Sequence, residues 1–483
     1  SVMSPITVAI TILGYIIVLL LAAYYSSRRA KNSDFFVAGR SLTWQIAAMS
    51  MVAAAMSGIT FVSVPGSVAA DSFSYLQMVL GFTAGQFVIA FVLIPIFYKL
   101  KVVSLYEYLE SRFGEVSHKT GAWFFFVSKV TIAALRLYVM CAAFQVMLFD
   151  HIYVPFEVNV ALVVGVIWLA TRRGGVKSLV WTDILKTFCL VGSLVLTIFF
   201  IVRSLGWSGA ELMSNVAESS YSRIFFFDDV TSPKYFWKMF LAGLFTLVAM
   251  TGLDQDMMQC NLSCVNYRHA QKNIVVTAFC QLVVISLFLI LGVLLYEYAA
   301  AVGITTPAKS DNLFSLVATH EGLPAVVGVL FIVGLTASTF ASSASSLTAL
   351  TTSCTVDLVG VFTASKSEEQ IEGIRKVVHS LIAVAIAVLI AVVGSFSNQA
   401  ILNLLFKFVG YTYGPILGLF AFGILTKYKV RDSKVWIVAV ASLIISVVGE
   451  FVVMELLGYK IGFELLIYNA LITFAGLMLL RRG

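Results

Sequence analysis

The stretch 326–356, VVGVLFIVGLTASTFASSASSLTALTTSCTV, is apolar at both ends and carries a stripe of serines in its middle. The helical repeat places four of these serines on one face, and the flanks are apolar enough to lie in lipid. They are Ser338, Ser342, Ser345 and Ser346. Two interpretations are open. The small residues let helices pack closely and the serines bond to their own helix, or the stripe supplies oxygens for a hard cation such as sodium.

The composition of the chain excludes a soluble globular protein. Hydrophobic residues make up 60% of the 483 residues, charged residues 12%, and the mean hydropathy is +0.96. A helix needs roughly 20 apolar residues to cross a bilayer. The sequence therefore predicts an all-α polytopic membrane protein with about thirteen transmembrane helices, at residues 5–25, 42–70, 73–98, 120–149, 154–171, 178–203, 236–258, 271–299, 322–358, 374–394, 400–425, 434–456 and 461–480.

The net charge of +7 indicates membrane topology and not binding to nucleic acid. If the chain alternates across thirteen spans and its first basic loop is cytoplasmic, 22 of the 32 lysines and arginines fall on the cytoplasmic side. This separation predicts an external N-terminus and a cytoplasmic C-terminus. We expect the protein to reside in a cell membrane, and we expect that membrane to be a bacterial inner membrane.

Motifs that would indicate an enzyme or an ATP-driven pump are missing. The sequence has no GxxxxGK[ST] nucleotide-binding loop, no HExxH and no GxSxG, and its five histidines are scattered. Secondary active transport needs none of these motifs. No protein-partner motif is evident, and we expect a functional monomer that binds a small-molecule substrate.

Two predicted spans contain residues that weaken a helix. One reads AAAMSGIT at 53–60 and continues to Pro65-Gly66, and the other reads GYTYGP at 410–415. An opened helix at 53–60 would expose backbone carbonyls that need a partner or a cation. A continuous, tightly packed helix is the alternative. A break early in the chain and another late in it are typical of transporters with a site at the membrane midplane.

Several motifs resemble those of the sodium/solute symporter family. They are DFFVAGR at 34–40, the stretch 53–65, EYLESRF at 107–113, VWTD at 180–183, the serine helix, and GYTYGP at 410–415. The resemblance implies a single transporter domain, 1–483, with an inverted-repeat core of five plus five helices. One extra helix and its cytoplasmic loop (1–41) would precede repeats at 42–203 and 236–425, and two extra helices (426–483) would follow.

The resemblance also implies a main sodium site between the first and eighth core helices. Its ligands would be the carbonyls of Ala53, Met56 and Ser338 and the hydroxyl of Ser342. A fifth position, usually a hydroxyl, falls on Ala341. Three consequences are open: sodium binds more weakly, a water replaces the hydroxyl, or sodium is not the coupling ion.

A second sodium site is implied by Asp183 and Ser345, which match the family's pattern, although Ala344 replaces another hydroxyl there. An acidic residue inside a lipid-spanning helix indicates function. Lys186 lies three residues further along and offers an alternative, because it would neutralise Asp183. Asp183 could also carry a proton.

For the substrate, the resemblance implies Ser57 and Thr60, with Gln77 as a further candidate. Lys129 and Arg136 are seven residues apart and share a helix face. The planar guanidinium of a buried arginine suits a carboxylate. Either Arg136 binds an anionic solute, or it pairs with a carboxylate or carbonyls of the protein.

We therefore expect sodium-coupled symport of a small polar solute by alternating access. The leading candidate is a carboxylate-bearing solute such as sialic acid or another organic acid. The alternatives are a sugar or polyol symporter, and a proton-coupled or sodium-independent transporter or sensor on the same scaffold.

Overall fold

The structure is a computed structural model that describes residues 4–29, 57–101, 105–172, 180–254, 258, 266–358, 367–396 and 400–482. These residues are predominantly helical. The helices, numbered along the chain, are α1 (Pro5–Arg29), α2 (Gly58–Gly66), α3 (Val68–Asp71), α4 (Tyr75–Val88), α5 (Ile94–Lys99), α6 (Leu105–Arg112), α7 (Glu115–Phe144), α8 (Phe156–Thr171), α9 (Val180–Leu205), α10 (Gly209–Glu218), α11 (Phe236–Leu247), α12 (Tyr267–Val302), α13 (Leu313–Ala318), α14 (Ala325–Ser353), α15 (Glu368–Phe396), α16 (Ile401–Leu425), α17 (Val435–Leu457) and α18 (Leu465–Leu479).

Wide turns of π-helix extend several of these helices. One joins α4 to α5, and others follow α7, α11 and α14, at Ile89–Leu93, Gln145–Phe149, Val248–Gly252 and Cys354–Leu358. A two-residue antiparallel ribbon connects β1 (Lys429–Val430) with β2 (Arg481–Arg482).

Membrane-spanning helices are confirmed in the described part of the chain. Eight stretches there are long and apolar enough to cross a bilayer: Tyr75–Lys99, Glu115–Phe149, Lys186–Leu205, Tyr267–Val302, Ala325–Ser353, Glu368–Ser395, Ile401–Leu425 and Asp432–Leu457. Shorter apolar helices lie at Pro5–Val18, Phe156–Thr171, Phe236–Gly252 and Leu465–Leu479. The count of thirteen spans and the inverted repeat stay predictions.

The outer face of α15 has the surface expected in lipid. Val377, Leu381, Val384 and Val388 are each more than half exposed and recur at helical spacing. A contiguous apolar stripe of this kind is rare on a soluble protein but matches the hydrocarbon core of a bilayer.

The predicted break at 410–415 is wrong, because α16 runs without interruption from Ile401 to Leu425 with Pro415 inside it. Proline has no N–H, so the carbonyl of Tyr411 lacks its helical donor. Asn469 of α18 replaces this donor. Its Nδ2 lies 2.9 Å from the Tyr411 carbonyl oxygen and 3.0 Å from that of Gly410. The Asn469 amide therefore keeps the helix continuous.

Close helix contact fixes α4 against α11. A β-carbon on Gly81 would collide with the carbonyl oxygen of Phe240, and one on Gly243 would collide with that of Met78. Glycines at both positions let the two backbones touch, as is common where helices pack inside membranes.

Asp311 ties α2 to the start of α16. Its Oδ2 accepts a hydrogen bond from the N–H of Ile401 at 3.0 Å, while the hydroxyl oxygen of Ser63 in α2 accepts one from the N–H of Leu402, also at 3.0 Å. These acceptors satisfy donors that the first turn of a helix leaves unpaired. The position of α2, on which the candidate site depends, is thereby set by the adjacent helix.

Candidate functional site

The first element of the candidate site is the beginning of α2. Ser57 has an extended backbone (φ −97°, ψ 174°), and the helix begins at Gly58 in the middle of a predicted span. The side chain of Ser57 is buried, and that of Thr60 is half-buried. Because the start of a helix presents unpaired N–H groups and a positive dipole end, this region favours a negatively charged ligand group.

Helices α7 and α14 pack directly against this start. A β-carbon on Gly58 would lie 2.7 Å from Oγ1 of Thr339 and 3.0 Å from Cδ1 of Leu335, with Val139 of α7 at 3.9 Å. A side chain at this position would displace the Thr339 hydroxyl and the Leu335 methyl group. Glycine therefore lets the hydroxyl-rich face of α14 approach the start of α2, next to the predicted substrate residue Ser57.

The predicted ion ligands of α14 lie next to each other. The Ser342 hydroxyl donates to the carbonyl oxygen of Ser338 at 2.7 Å, and the Ser338 hydroxyl donates to that of Leu335 at 3.1 Å. The Ser338 carbonyl and the Ser342 hydroxyl are close enough to share one cation, since the hydroxyl can rotate its hydrogen away. Both bonds are back-bonds within α14, as the packing interpretation also predicts, so the main sodium site stays a prediction.

A cationic side chain also reaches this position. Lys186 of α9 is buried, and its Nζ lies 3.5 Å from Oγ of Ser342. In the sequence, Lys186 stands out only as a neighbour of Asp183 on the same helix. Its proximity to the serine stripe depends on the packing of α9 against α14, which no local pattern reveals.

Three further hydroxyls of α14 were missed by the sequence analysis. Thr336, Thr339 and Ser343 are buried, and their hydroxyl oxygens have no hydrogen-bond partner among the described residues. The signal was present, because threonine and serine at spacings of three and four form a second polar stripe beside the first. Buried hydroxyls without partners are costly, so ligand or water contacts are expected here.

Several predicted ion ligands cannot be placed. Ala53 and Met56 lie outside the described residues. For Asp183, Ala341 and Ser345 the structure describes the helical backbone but not the side chains. The main and the second sodium sites therefore stay predictions at these positions.

Lys129 forms an ion pair with a protein carboxylate, whereas Arg136 forms none with the residues that the structure describes. The Lys129 ammonium contacts the carboxylate of Asp254, which is 2% exposed and directly follows the wide turn after α11. Arg136 interacts electrostatically with the same Asp254 and with Tyr413. However, its Nε is buried without a hydrogen-bond partner among the described residues. Arg136 therefore keeps donor capacity for a ligand.

The side-chain amide of Gln77 is bonded to the protein backbone. It is fully buried, and its Nε2 donates to the carbonyl oxygen of Lys234 at 2.9 Å while its Oε1 accepts from the N–H of Phe226 at 3.0 Å. Both ends of the amide are thus used to hold the segment that precedes α11. We leave Gln77 out of the site proposed below.

A cavity of about 670 Å³ opens where α16 begins, apart from these residues. Its charged lining includes the pair Lys234–Asp71 at 3.6 Å and the pair Lys407–Glu450 at 3.9 Å. None of the predicted site residues that the structure describes lines this cavity. By the predicted topology it faces the outside.

The sodium:solute symporter family model matches residues 35–455. The chain belongs to this family. It is 26% identical over 417 residues to the sodium-coupled monocarboxylate transporter 1 of Mus musculus, covering 84% of this chain and 66% of that protein. It is 24% identical over 454 residues to the sodium/sialic acid symporter SiaT of Proteus mirabilis, covering 90% of this chain and 87% of that protein. The chain thus spans just under two thirds of the monocarboxylate relative.

Solved structures establish the fold. The chain superimposes on the substrate-bound, outward-open state of a Na⁺-coupled sialic acid symporter with a TM-score of 0.76 at 21% identity, covering 98% and 97% of the two chains. Mhp1, a transporter of the nucleobase-cation-symport-1 family, matches with a TM-score of 0.54 at 12% identity over 91% of each chain. These relatives are transporters and not enzymes.

Proposed function

We propose that this protein is a secondary transporter that couples the entry of a small carboxylate-bearing solute to sodium. The single observation that carries the choice of solute is Arg136, whose Nε is buried without a hydrogen-bond partner among the described residues. Burying a guanidinium in a membrane protein is costly unless an anion or polar groups compensate it. Lys129 already engages Asp254, so a ligand carboxylate is the natural partner for Arg136.

Ser57 and Thr60 complete the proposed solute site. Both lie at the start of α2, where unpaired N–H groups and the helix dipole favour a carboxylate. A planar guanidinium binds two carboxylate oxygens at once, which fixes the orientation of the solute. The acids named for the monocarboxylate and sialic acid relatives have the same chemistry.

Sodium is proposed to bind between α2 and α14. The ligands would be the Ser338 carbonyl and the Ser342 hydroxyl together with the carbonyls of Ala53 and Met56. The missing hydroxyl at Ala341 leaves room for Thr339, whose buried hydroxyl adjoins Gly58. A second sodium at Asp183 and Ser345 is part of the same proposal. Membership of the sodium:solute symporter family and its sodium-coupled relatives support sodium as the coupling ion.

Transport would follow alternating access. Sodium held by the carbonyls of Ala53 and Met56 and by α14 would stabilise the outward-open arrangement, solute binding would close the outer side, and a rigid-body movement would open the inner side. The membrane potential assists, because one charge crossing 100 mV releases roughly 2.3 kcal/mol. We further propose thirteen spans in a five-plus-five inverted repeat, an external N-terminus, a bacterial inner membrane location and a functional monomer.

The test is thermal stability of the detergent-purified protein in sodium chloride against choline chloride at equal ionic strength. Sialic acid, lactate and pyruvate are then added, with galactose and mannitol as neutral controls. We expect a sodium-specific increase in the unfolding temperature that Ser342→Ala removes. We also expect a further increase from one acid that Arg136→Gln removes. Stabilisation by a neutral solute alone would favour the sugar or polyol alternative.

A second candidate function, sodium-independent transport, is favoured by Ala341, which lacks the usual hydroxyl. It predicts the acid-dependent increase without any sodium-dependent one.

A further inference from the structure

Lys186 places a positive charge at the main ion site. Its side chain is 3% exposed, it projects from α9, and its Nζ lies 3.5 Å from the hydroxyl oxygen of Ser342 on α14. The two residues are 156 positions apart in the sequence. The contact is therefore a product of the fold and not of helical neighbours.

The same hydroxyl is a proposed sodium ligand. It lies 2.7 Å from the Ser338 carbonyl oxygen, the other α14 ligand. Hard cations of this size bind protein oxygens at roughly 2.4 Å. A sodium ion on Ser342 would thus lie at most about 6 Å from Nζ of Lys186. This separation is shorter than the screening length of about 8 Å at physiological salt, and screening is weaker still in a buried site.

An ammonium group and a sodium ion compete for the same kind of partner. Both are compact monovalent cations that prefer hydroxyl and carbonyl oxygens, and a lysine ammonium offers three donors for them. The usual hydroxyl is absent at Ala341, and the ammonium of Lys186 competes with a free sodium ion for the Ser342 hydroxyl. A tethered group binds as an intramolecular partner, so the sodium concentration needed to displace it rises with its effective concentration at the site.

We propose that Lys186 is a tethered competitor for the main sodium site, so that sodium binds there only as the ammonium withdraws from Ser342. The proposal rests on the proposed location of that site between α2 and α14. It assigns to Lys186 a function beyond neutralising Asp183, because the competition acts through Ser342 on another helix.

The experiment measures the sodium concentration that gives half of the maximal thermal stabilisation, with choline chloride keeping the ionic strength constant. Lys186→Gln and Lys186→Met remove the charge, and Lys186→Arg keeps it. We expect the sodium midpoint to fall at least ten-fold in the Gln and Met variants and to stay near the wild-type value in the Arg variant. Adding Ser342→Ala to Lys186→Gln should abolish the fall in the sodium midpoint.

Lys407→Gln is the matched control. Lys407 is also a lysine within a membrane-spanning helix, but its partner is Glu450 at 3.9 Å, so its removal should leave the sodium midpoint unchanged. Two charge-removing variants are included so that a folding defect in one leaves the other informative.

The outcomes separate this proposal from the proposed function. The competition is supported if the Gln and Met variants are stabilised at lower sodium concentrations than the wild-type protein. This holds even if sodium stabilises the wild-type protein only weakly. Equal midpoints in wild-type, Gln and Met proteins would overturn it while leaving sodium coupling intact. No sodium response in any variant would overturn it as well. In that case, thermal stabilisation by an added acid would still support the proposed solute site.

Discussion

Lys129 of α7 and Asp254, which follows α11, form an ion pair inside the helical bundle. Asp254 is 2% exposed and the Lys129 side chain 21% exposed. Asp254 also interacts electrostatically with Arg136, about two helical turns further along α7. Asp254 therefore pairs directly with Lys129 alone, and this pair links α7 to the segment that follows α11.

Removing either partner of this pair should destabilise the protein strongly. Lys129→Met leaves a buried carboxylate without its ammonium partner, and Asp254→Asn leaves the Lys129 ammonium without its carboxylate. Breaking a buried pair costs about 3–5 kcal/mol because the remaining charge stays buried. We expect both variants to unfold at clearly lower temperature, measured by intrinsic fluorescence in detergent.

The double variant Lys129→Met/Asp254→Asn should recover part of the loss, since no unpaired member of the pair remains. The exposed pair Lys119–Glu115, at 3.3 Å on the first turns of α7, is the control. Breaking it should cost no more than about 0.5 kcal/mol. Strictly additive losses at Lys129 and Asp254 would contradict a direct pair.

The Asn469 amide should be essential only because Pro415 is present. Asn469→Ala leaves the Tyr411 carbonyl without a donor inside the membrane, at a cost of about 1–3 kcal/mol. In a Pro415→Ala background the alanine N–H restores the helical bond to Tyr411, so the same Asn469→Ala change should cost less. Thermal unfolding of the four proteins provides the test, and equal losses in both backgrounds would count against the explanation.

The stability of the protein should depend on pH through Asp311, which lies in the segment between α12 and α14. Burial raises the pKa of its carboxyl to about 6, against 3.8 in an unfolded chain, and hydrogen bonds from Ser63 and Ile401 only partly offset this. The folded protein therefore holds the proton more tightly than the unfolded chain. The stabilisation that the protonated Asp311 carboxyl gives to the folded state is complete below pH 3.8 and is lost as the pH rises through about 6.

Asp311→Asn mimics the protonated carboxyl at every pH. We expect the variant to be more stable than the wild-type protein by about 1 kcal/mol near pH 4.5 and by at most about 3 kcal/mol at pH 7.5. The control is Asp228→Asn, because Asp228 is exposed and pairs with Arg223 on the surface. Loss of this exposed pair should cost no more than about 1 kcal/mol. A constant difference for Asp311→Asn would show that the carboxyl does not titrate there.

Asp432 should stabilise the beginning of α7. Its carboxylate accepts hydrogen bonds from the N–H groups of Val116 and Ser117, both at 2.9 Å. Asp432→Ala removes this cap and should cost about 0.5–2 kcal/mol, whereas Asp432→Asn should cost less. Unfolding temperatures measured in parallel decide between a cap and an uninvolved surface residue, for which both changes would be neutral.

Apolar segments and single-helix patterns were readable from the sequence. Hydropathy located the helices because a lipid-spanning helix must be apolar along about 20 residues. The serine stripe of α14 was readable because residues three and four apart share a helix face. The beginning of α2 at Gly58 agrees with the helix-weakening residues seen at 53–60.

Contacts between distant helices were not readable from the sequence. Pro415 predicted a break because nothing nearby could supply the missing donor, yet Asn469 supplies it from α18. Lys186 was weighed only against Asp183, its neighbour on the same helix, although its Nζ lies 3.5 Å from the Ser342 hydroxyl. Long polar side chains find partners that only the packed bundle brings within reach.

Uptake into proteoliposomes is the most direct test of sodium-coupled carboxylate symport. Purified protein would be reconstituted, and uptake of radiolabelled sialic acid and lactate measured under an inward sodium gradient and under an equal choline gradient. We predict accumulation of one of these acids in sodium only, strong reduction in Arg136→Gln, and no uptake of galactose. Equal uptake in choline, or uptake of galactose but of neither acid, would contradict the proposed function.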